Sequence, residues 1–212
     1  MTLDATGNNA VRLNLGCGGR PLAGYINVDR DSLDVIRARY PGRPLDDGLV
    51  VVSHDILNLP FPDGSVDEVR ADALIEHLPF VDERRFFVEV VRVLKPGGSL
   101  FITTVDFEAA VRQWLAAKDD WQDFYRTDDE AIQGQHWFGT HSYAADNRWG
   151  YLTATLFGSQ NGVGQFHANC YSEPKLRAIC ARMRLDVDAV ERFRWQGDRD
   201  PMLALSATRK RP

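Results

Sequence analysis

Cysteine is scarce in this 212-residue chain, which holds only Cys17, Cys170 and Cys180. The count is odd and no C-x-x-C pair occurs, so neither a disulfide framework nor a thiolate zinc site is indicated. Positive charge is also in short supply: Lys and Arg total 25 against 30 Asp and Glu, a net charge of −5. A duplex nucleic-acid binder needs a basic stripe. The densest basic clusters here are Arg84-Arg85 and Arg209-Lys210-Arg211, which read as a solvated helix face and a chain end. No long apolar run exists either. The longest stretch free of Asp, Glu, Lys and Arg, Trp149 to Ser172, is long enough to span a bilayer. Gly150, Gly158, Gln160, Asn161, Gln165 and Asn169 make it too polar to do so. The residues after Met1 carry Asp4 and no apolar core, so no secretory signal is expected. The expectation is a soluble, cytoplasmic protein in a reducing compartment, with neither nucleic acid nor membrane as partner.

Apolar residues make up 44% of the chain, ordinary for a globular fold. The length suits one domain, residues 1–212, with an elaborated insertion. No internal repeat is present. Short apolar runs alternate with helical patterns, which predicts an α/β fold: a Rossmann-like, doubly wound sheet. The runs are Val11–Leu15, Tyr25–Val28, Leu49–Ser53, Val66–Ala71 and Ser99–Thr104, followed by two strands near Leu185–Arg194 and Met202–Thr208. Seven strands are expected, mostly parallel, with one antiparallel strand near the C-terminus and helices on both faces.

Asp82 to Leu94 places Phe86, Phe87, Val90, Val91 and Leu94 at helical spacing. Asp82 is the expected N-cap, and Lys95-Pro96-Gly97-Gly98 the stop. Ser32–Tyr40 and Asp106–Lys118 predict two more helices. Ser172-Glu173-Pro174 reads as a cap and first turn of a helix running to about Met183. The stretch 119–171 is different, with three of the five tryptophans, three of the five histidines and no sustained periodicity. So long an irregular connection predicts a substrate-binding insertion or lid.

Leu13-Asn14-Leu15-Gly16-Cys17-Gly18-Gly19 follows the first strand directly. In an open α/β sheet, ligands bind beyond the carboxyl ends of the strands. The dinucleotide fingerprint fails here because Pro21 stands where its third glycine belongs, and no phosphate loop is present. The turn resembles the first motif of class I S-adenosylmethionine-dependent methyltransferases. The resemblance extends through Gly24-Tyr25-Ile26-Asn27-Val28-Asp29 and from His54-Asp55 to Asp67-Glu68-Val69. It continues in Leu74-Ile75-Glu76-His77-Leu78 and Val93-Leu94-Lys95-Pro96-Gly97-Gly98. The ordered blocks cover about half the chain, and Phe166-His167 and Tyr171–Leu185 match more loosely.

The resemblance implies S-adenosyl-L-methionine as cofactor, with S-adenosyl-L-homocysteine as product. It implies a cofactor-binding set of Asn14, Gly16, Cys17, Gly18, Asp29, Asp55, Ile56, Ala71 and His77. Asp29 would accept both ribose hydroxyls, with Asp31 its nearer rival. Only ten residues separate Gly18 from Asp29, so the first crossover helix would be one turn around Pro21–Gly24. Asp55 and Ile56 would meet the adenine, unless Asp55 merely caps its loop. The Ala71 carbonyl would hold the ammonium. Asn14 stands where many members carry an acid, and also reads as a plain strand residue. His77 would line the pocket or cap the following helix. Cys17 reads as a packed thiol rather than a nucleophile.

Methyl transfer from a sulfonium is an in-line displacement in which charge is neutralised, so orientation and exclusion of water dominate. A base helps when the acceptor is a hydroxyl. The candidates are His167, His141 and His136, with Tyr143 in support. No metal is expected, because His136 and His141 with Asp146 on a non-helical stretch make a poor facial set. The expected acceptor is a small molecule, natural-product, sugar-like or aromatic, methylated on O or N. The alternative is a protein, RNA or polysaccharide precursor. The chain would act as a monomer or homodimer.

Overall fold

The computed structural model describes residues 10–42, 45, 51–119, 146–160, 164–195 and 199–212. Seven strands form one sheet: β1 (Arg12–Leu15), β2 (Ile26–Asp29), β3 (Val51–Ser53), β4 (Val66–Asp72), β5 (Leu94–Val105), β6 (Leu185–Trp195) and β7 (Asp200–Arg209). Their order is β3-β2-β1-β4-β5-β7-β6. β1 pairs in parallel with β2 and β4, β2 with β3, and β4 with β5. β7 is the single reversed strand, antiparallel to both β5 and β6. The sheet is the Rossmann-like, mostly parallel one expected.

The described helices are α1 (Leu33–Arg39), α2 (Phe80–Val93), α3 (Phe107–Ala116), α4 (Tyr151–Phe157) and α5 (Glu173–Arg182), with a 3-10 turn at Ile75–His77. The core is built where the buried side chains of β1, β4 and β5 meet α2. Leu13 and Leu15 of β1, Val69 and Ala71 of β4, and Leu100 and Ile102 of β5 pack with Phe86, Phe87, Val90 and Val93 of α2. Each large side chain so buried contributes about 1.5–3 kcal/mol.

Three local expectations change. α2 begins at Phe80 behind Pro79, whose φ of −61° and ψ of 154° suit the cap position. Asp82 therefore lies in the first turn, where its charge favours the helix dipole. Lys95-Pro96-Gly97-Gly98 ends α2 but belongs to β5, which enters the sheet through a register shift opposite Val66 and Glu68. No helical turn forms at Pro21–Gly24. The buried Asn27 ties that connection instead, accepting the Leu22 amide at 2.7 Å and donating to the Leu22 carbonyl at 3.1 Å. Ser32 caps α1 by accepting from Val35 and Asp106 caps α3 by accepting from Ala109, while Ser172 stands at the N-cap of α5 as read but makes no side-chain capping hydrogen bond, with Pro174 in the first turn.

Much of the 119–171 stretch lies outside the described residues. Its described C-terminal part includes α4 and, just before it, Trp149, which makes a T-shaped contact with Trp114 of α3 at 5.6 Å.

Candidate active site

A cleft of about 820 Å³ opens at the carboxyl ends of β1, β2 and β4. One wall is the glycine turn after β1. Gly16 has φ +62°, where a side chain is strained, and a Cβ there would lie 2.4 Å from the Leu74 side chain, which would have to shift. The turn is tied to β2 by three amides, the weakest of them Cys17 donating to the Val28 carbonyl at 3.3 Å. The Gly16 amide donates to the Val28 carbonyl at 2.7 Å, and the Gly18 amide donates to Asp29 Oδ2 at 2.8 Å. Asp29 Oδ1 accepts the Asp31 amide at 3.0 Å. Its carboxylate is thus fixed at the cleft wall with lone pairs to spare. Asp31 also lines the cleft but is ion-paired with Arg39.

Asp55, Ile56 and Leu57 form the adjoining wall, where Asp55 Oδ1 accepts the Leu57 amide at 2.9 Å. Cys17 lines the cleft while being almost fully buried. Burial, and then the charge of Asp29, push its thiol up to about 12. It stays protonated near neutrality and is no nucleophile.

Asn14 and Ala71 take different places. Asn14 is buried below the turn, donating to Asn27 Oδ1 at 2.8 Å and to the Arg20 carbonyl at 3.3 Å. It faces a smaller recess of about 250 Å³ beside the main cleft. Ala71 is fully buried within β4, and Asp72 and Ala73 stand at the cleft instead. Asp72 is ion-paired with Arg70 and accepts the Thr103 hydroxyl at 3.0 Å. Ala73 has φ +46°, a strained value for alanine. Thr103 holds it through both its carbonyl and its hydroxyl, at 2.9 and 3.2 Å.

The far wall comes from α4 and the segment after it: Tyr151, Ala154, Thr155, Gln165 and His167. Asp200 anchors this wall, accepting the Tyr151 hydroxyl at 2.6 Å and the Thr155 hydroxyl at 3.1 Å. The segment docks on the 3-10 turn because Ala168 and Asn169 donate to the Glu76 carbonyl at 2.8 and 3.0 Å. This docking brings Glu76, His77 and His167 together. The two imidazoles meet edge to face, with centroids 4.9 Å apart. His77 Nδ1 lies 2.9 Å from the Phe166 carbonyl and His167 Nδ1 lies 3.1 Å from the Thr155 carbonyl. A carbonyl only accepts, so both Nδ1 atoms carry the proton. In the neutral rings each Nε2 keeps its lone pair.

Burial, reinforced by His77, pushes His167 down to about 4. Glu76 is 2% exposed and accepts the Thr104 hydroxyl at 3.0 Å. Burial holds its carboxyl above the usual range. His136, His141 and Tyr143 lie outside the described residues. Asp72, Glu76, Tyr151, Thr155 and Asp200 are cleft residues that sequence reasoning did not assign. Asp72 carried a usable signal, since it ends β4 as Asp29 ends β2.

Residues 6–102 match the family model of a methyltransferase domain. Methyltransferase GfsG of Streptomyces halstedii is 33% identical over 114 residues, covering 49% of this chain and 40% of that protein. The chain therefore spans under half the length of that relative. A solved S-adenosylmethionine-dependent methyltransferase from Methanosarcina mazei superimposes with a TM-score of 0.56 at 18% identity, over 97% of this chain and 95% of that one. The 1,6-didemethyltoxoflavin-N1-methyltransferase of Burkholderia thailandensis, solved with 1,6-didemethyltoxoflavin and S-adenosylhomocysteine, gives a TM-score of 0.55 at 12% identity. That match covers 97% of this chain and 73% of the other. At such identities the structures establish a shared fold. Residues 6–102, just under half of the chain, thus match a methyltransferase domain, and the fold of the chain is that of solved S-adenosylmethionine-dependent methyltransferases.

Proposed function

We propose that the protein transfers a methyl group from S-adenosylmethionine to an oxygen or nitrogen atom of a small molecule. One observation carries this reading: a single cleft joins the glycine turn and Asp29 on one side to His77, His167, Tyr151 and Thr155 on the other. The residues present fit the cofactor's chemistry. Asp29 offers a fixed carboxylate to a vicinal diol, a charge-assisted arrangement. Ile56, Leu57 and Leu74 offer apolar surface to a base, and Asp72 offers negative charge to an ammonium. When bound, the cofactor supplies an electrophilic methyl group on a sulfonium, whose sulfur takes up the bonding pair as the new bond forms.

The chain's own contribution is orientation and exclusion of water. About 820 Å³ is a small-molecule volume, and the net charge of −5 disfavours a polyanionic acceptor. Tyr151 and Thr155 are immobilised by Asp200 and give the acceptor pocket a rigid side. An imidazole held down at about 4 takes up little of an acceptor's proton near neutrality. His167, with His77, therefore serves to position the acceptor, and the proton it releases passes to water. Calorimetry with S-adenosylhomocysteine, followed by methylation of a panel of hydroxyl and amine acceptors, tests the reading. Micromolar binding with turnover of a small acceptor is expected. No cofactor binding, or turnover of a macromolecule alone, overturns it.

A further inference from the structure

We propose that Glu76, His77 and His167 form a binding site for a first-row divalent transition-metal ion, open to the cleft. Each residue offers one ligand atom, and these atoms lie within 4.8 Å of one another. A point equidistant from three atoms at that limiting spacing is about 2.8 Å from each, against the ~2.1 Å of a metal–nitrogen bond. Small side-chain adjustments close the difference.

Two further observations point to an ion. Both histidines donate Nδ1–H to a main-chain carbonyl, His77 to Phe166 and His167 to Thr155. That contact is the usual support of a metal-ligating imidazole, since it fixes the ring and turns the Nε2 lone pair to the ligand side. Glu76 is 2% exposed, and among the described residues no Lys or Arg is found acting on its carboxylate. Its carboxylate accepts the neutral hydroxyl of Thr104. Buried carboxylates are normally paired with a cation or coordinate a metal, and the neighbour that favours the charged form of Glu76 is the His77 imidazole, itself a candidate ligand.

Two imidazoles and a carboxylate select first-row metals over magnesium or calcium, which prefer all-oxygen sets. Three protein ligands leave coordination positions free, and all three residues line the cleft. The ion would there take an oxygen of the methyl acceptor and orient it. This last step rests on the methyltransferase reading, while the metal site itself does not.

The test uses the full chain, stripped with a chelator and dialysed. Cobalt(II) is titrated in and followed by visible absorption, and zinc(II) by calorimetry. One ion per chain is expected, with affinity lowered at least tenfold in His77→Ala and in His167→Ala. Far-UV circular dichroism verifies their folding, and Glu76→Gln serves as a third variant. Absence of stoichiometric binding, or binding that survives in the folded His77→Ala/His167→Ala double variant, overturns the site. S-adenosylhomocysteine binding to the metal-free wild type is measured in parallel. If the metal-free chain binds no S-adenosylhomocysteine while the titration still shows one ion per chain, the methyltransferase reading falls and the metal site stands.

Discussion

The amide of Gly18 donates to the carboxylate of Asp29 across the mouth of the glycine turn, at 2.8 Å. Asp29 thus shapes the turn and also supplies the cleft's fixed negative charge. Asp29→Ala removes both roles, and Asp29→Asn keeps an acceptor for Gly18 while removing the charge. A hydrogen bond to a charged group is worth about 1.5–3 kcal/mol, so S-adenosylhomocysteine affinity should fall about 10–100-fold in the alanine variant. Calorimetry should place the asparagine variant between it and the wild type. Unchanged affinity in both variants would remove Asp29 from the cofactor site.

Arg92 links the core helix to the loop that carries Asp55 and Ile56. Its guanidinium donates to the Leu59 and Phe61 carbonyls at 3.0 and 2.8 Å and pairs with Glu89 at 2.7 Å. Glu89 in turn accepts the Leu59 amide. Arg92→Ala leaves Glu89, itself largely buried, without its cation. The expected cost is about 2–3 kcal/mol, or roughly 5–10 °C in melting temperature for a chain of this size. The cofactor should also bind more weakly as the loop loosens. A melting curve matching the wild type would contradict this account.

The strands were legible because their buried positions carry β-branched and apolar side chains, as Val66, Val69 and Ala71 do in β4, although Asp67, Glu68 and Arg70 stand between them. Places where one side chain overrides a local pattern were less visible. Asp82 looks like a cap, but Pro79 already satisfies the geometry three residues earlier. Pro21–Gly24 looks like a helical turn, yet Asn27 holds its backbone from the adjacent strand. The same limit applies to the site. Asp29 could be read from its strand end. The Glu76–His77–His167 group could not, because it depends on Ala168 and Asn169 docking on Glu76, a contact 92 and 93 residues away along the chain.

Tyr151 and Thr155 both donate to Asp200, which is almost fully buried at the start of β7. Tyr151→Phe keeps the ring and removes one donor from a buried carboxylate. The expected cost is about 1–3 kcal/mol, seen as a lower melting temperature. If α4 forms the acceptor wall, KM for the acceptor should rise while S-adenosylhomocysteine affinity stays near wild type. A selective loss of cofactor affinity would place Tyr151 on the wrong side of the cleft.

Cys17 gives a prediction at alkaline pH. Its thiol is pushed up to about 12 in the folded protein, against an ordinary value of 9.0, chiefly by burial and secondarily by Asp29. A folded-state value above the unfolded one means that the unfolded chain loses the proton first. The contribution to stability is complete below about pH 9 and falls at up to ~1.4 kcal/mol per pH unit as pH rises toward 12. Denaturant midpoints between pH 8 and 11 should therefore drop less steeply in Cys17→Ala than in the wild type. Tyr25, also raised to about 12 by burial and Glu68, contributes in the same direction in both proteins and cancels in the comparison. In the native wild type at pH 8, Cys17 should resist alkylation and react only after unfolding. Parallel midpoint curves for the two proteins, or rapid native labelling of Cys17, would show that the thiol is not buried beneath the glycine turn.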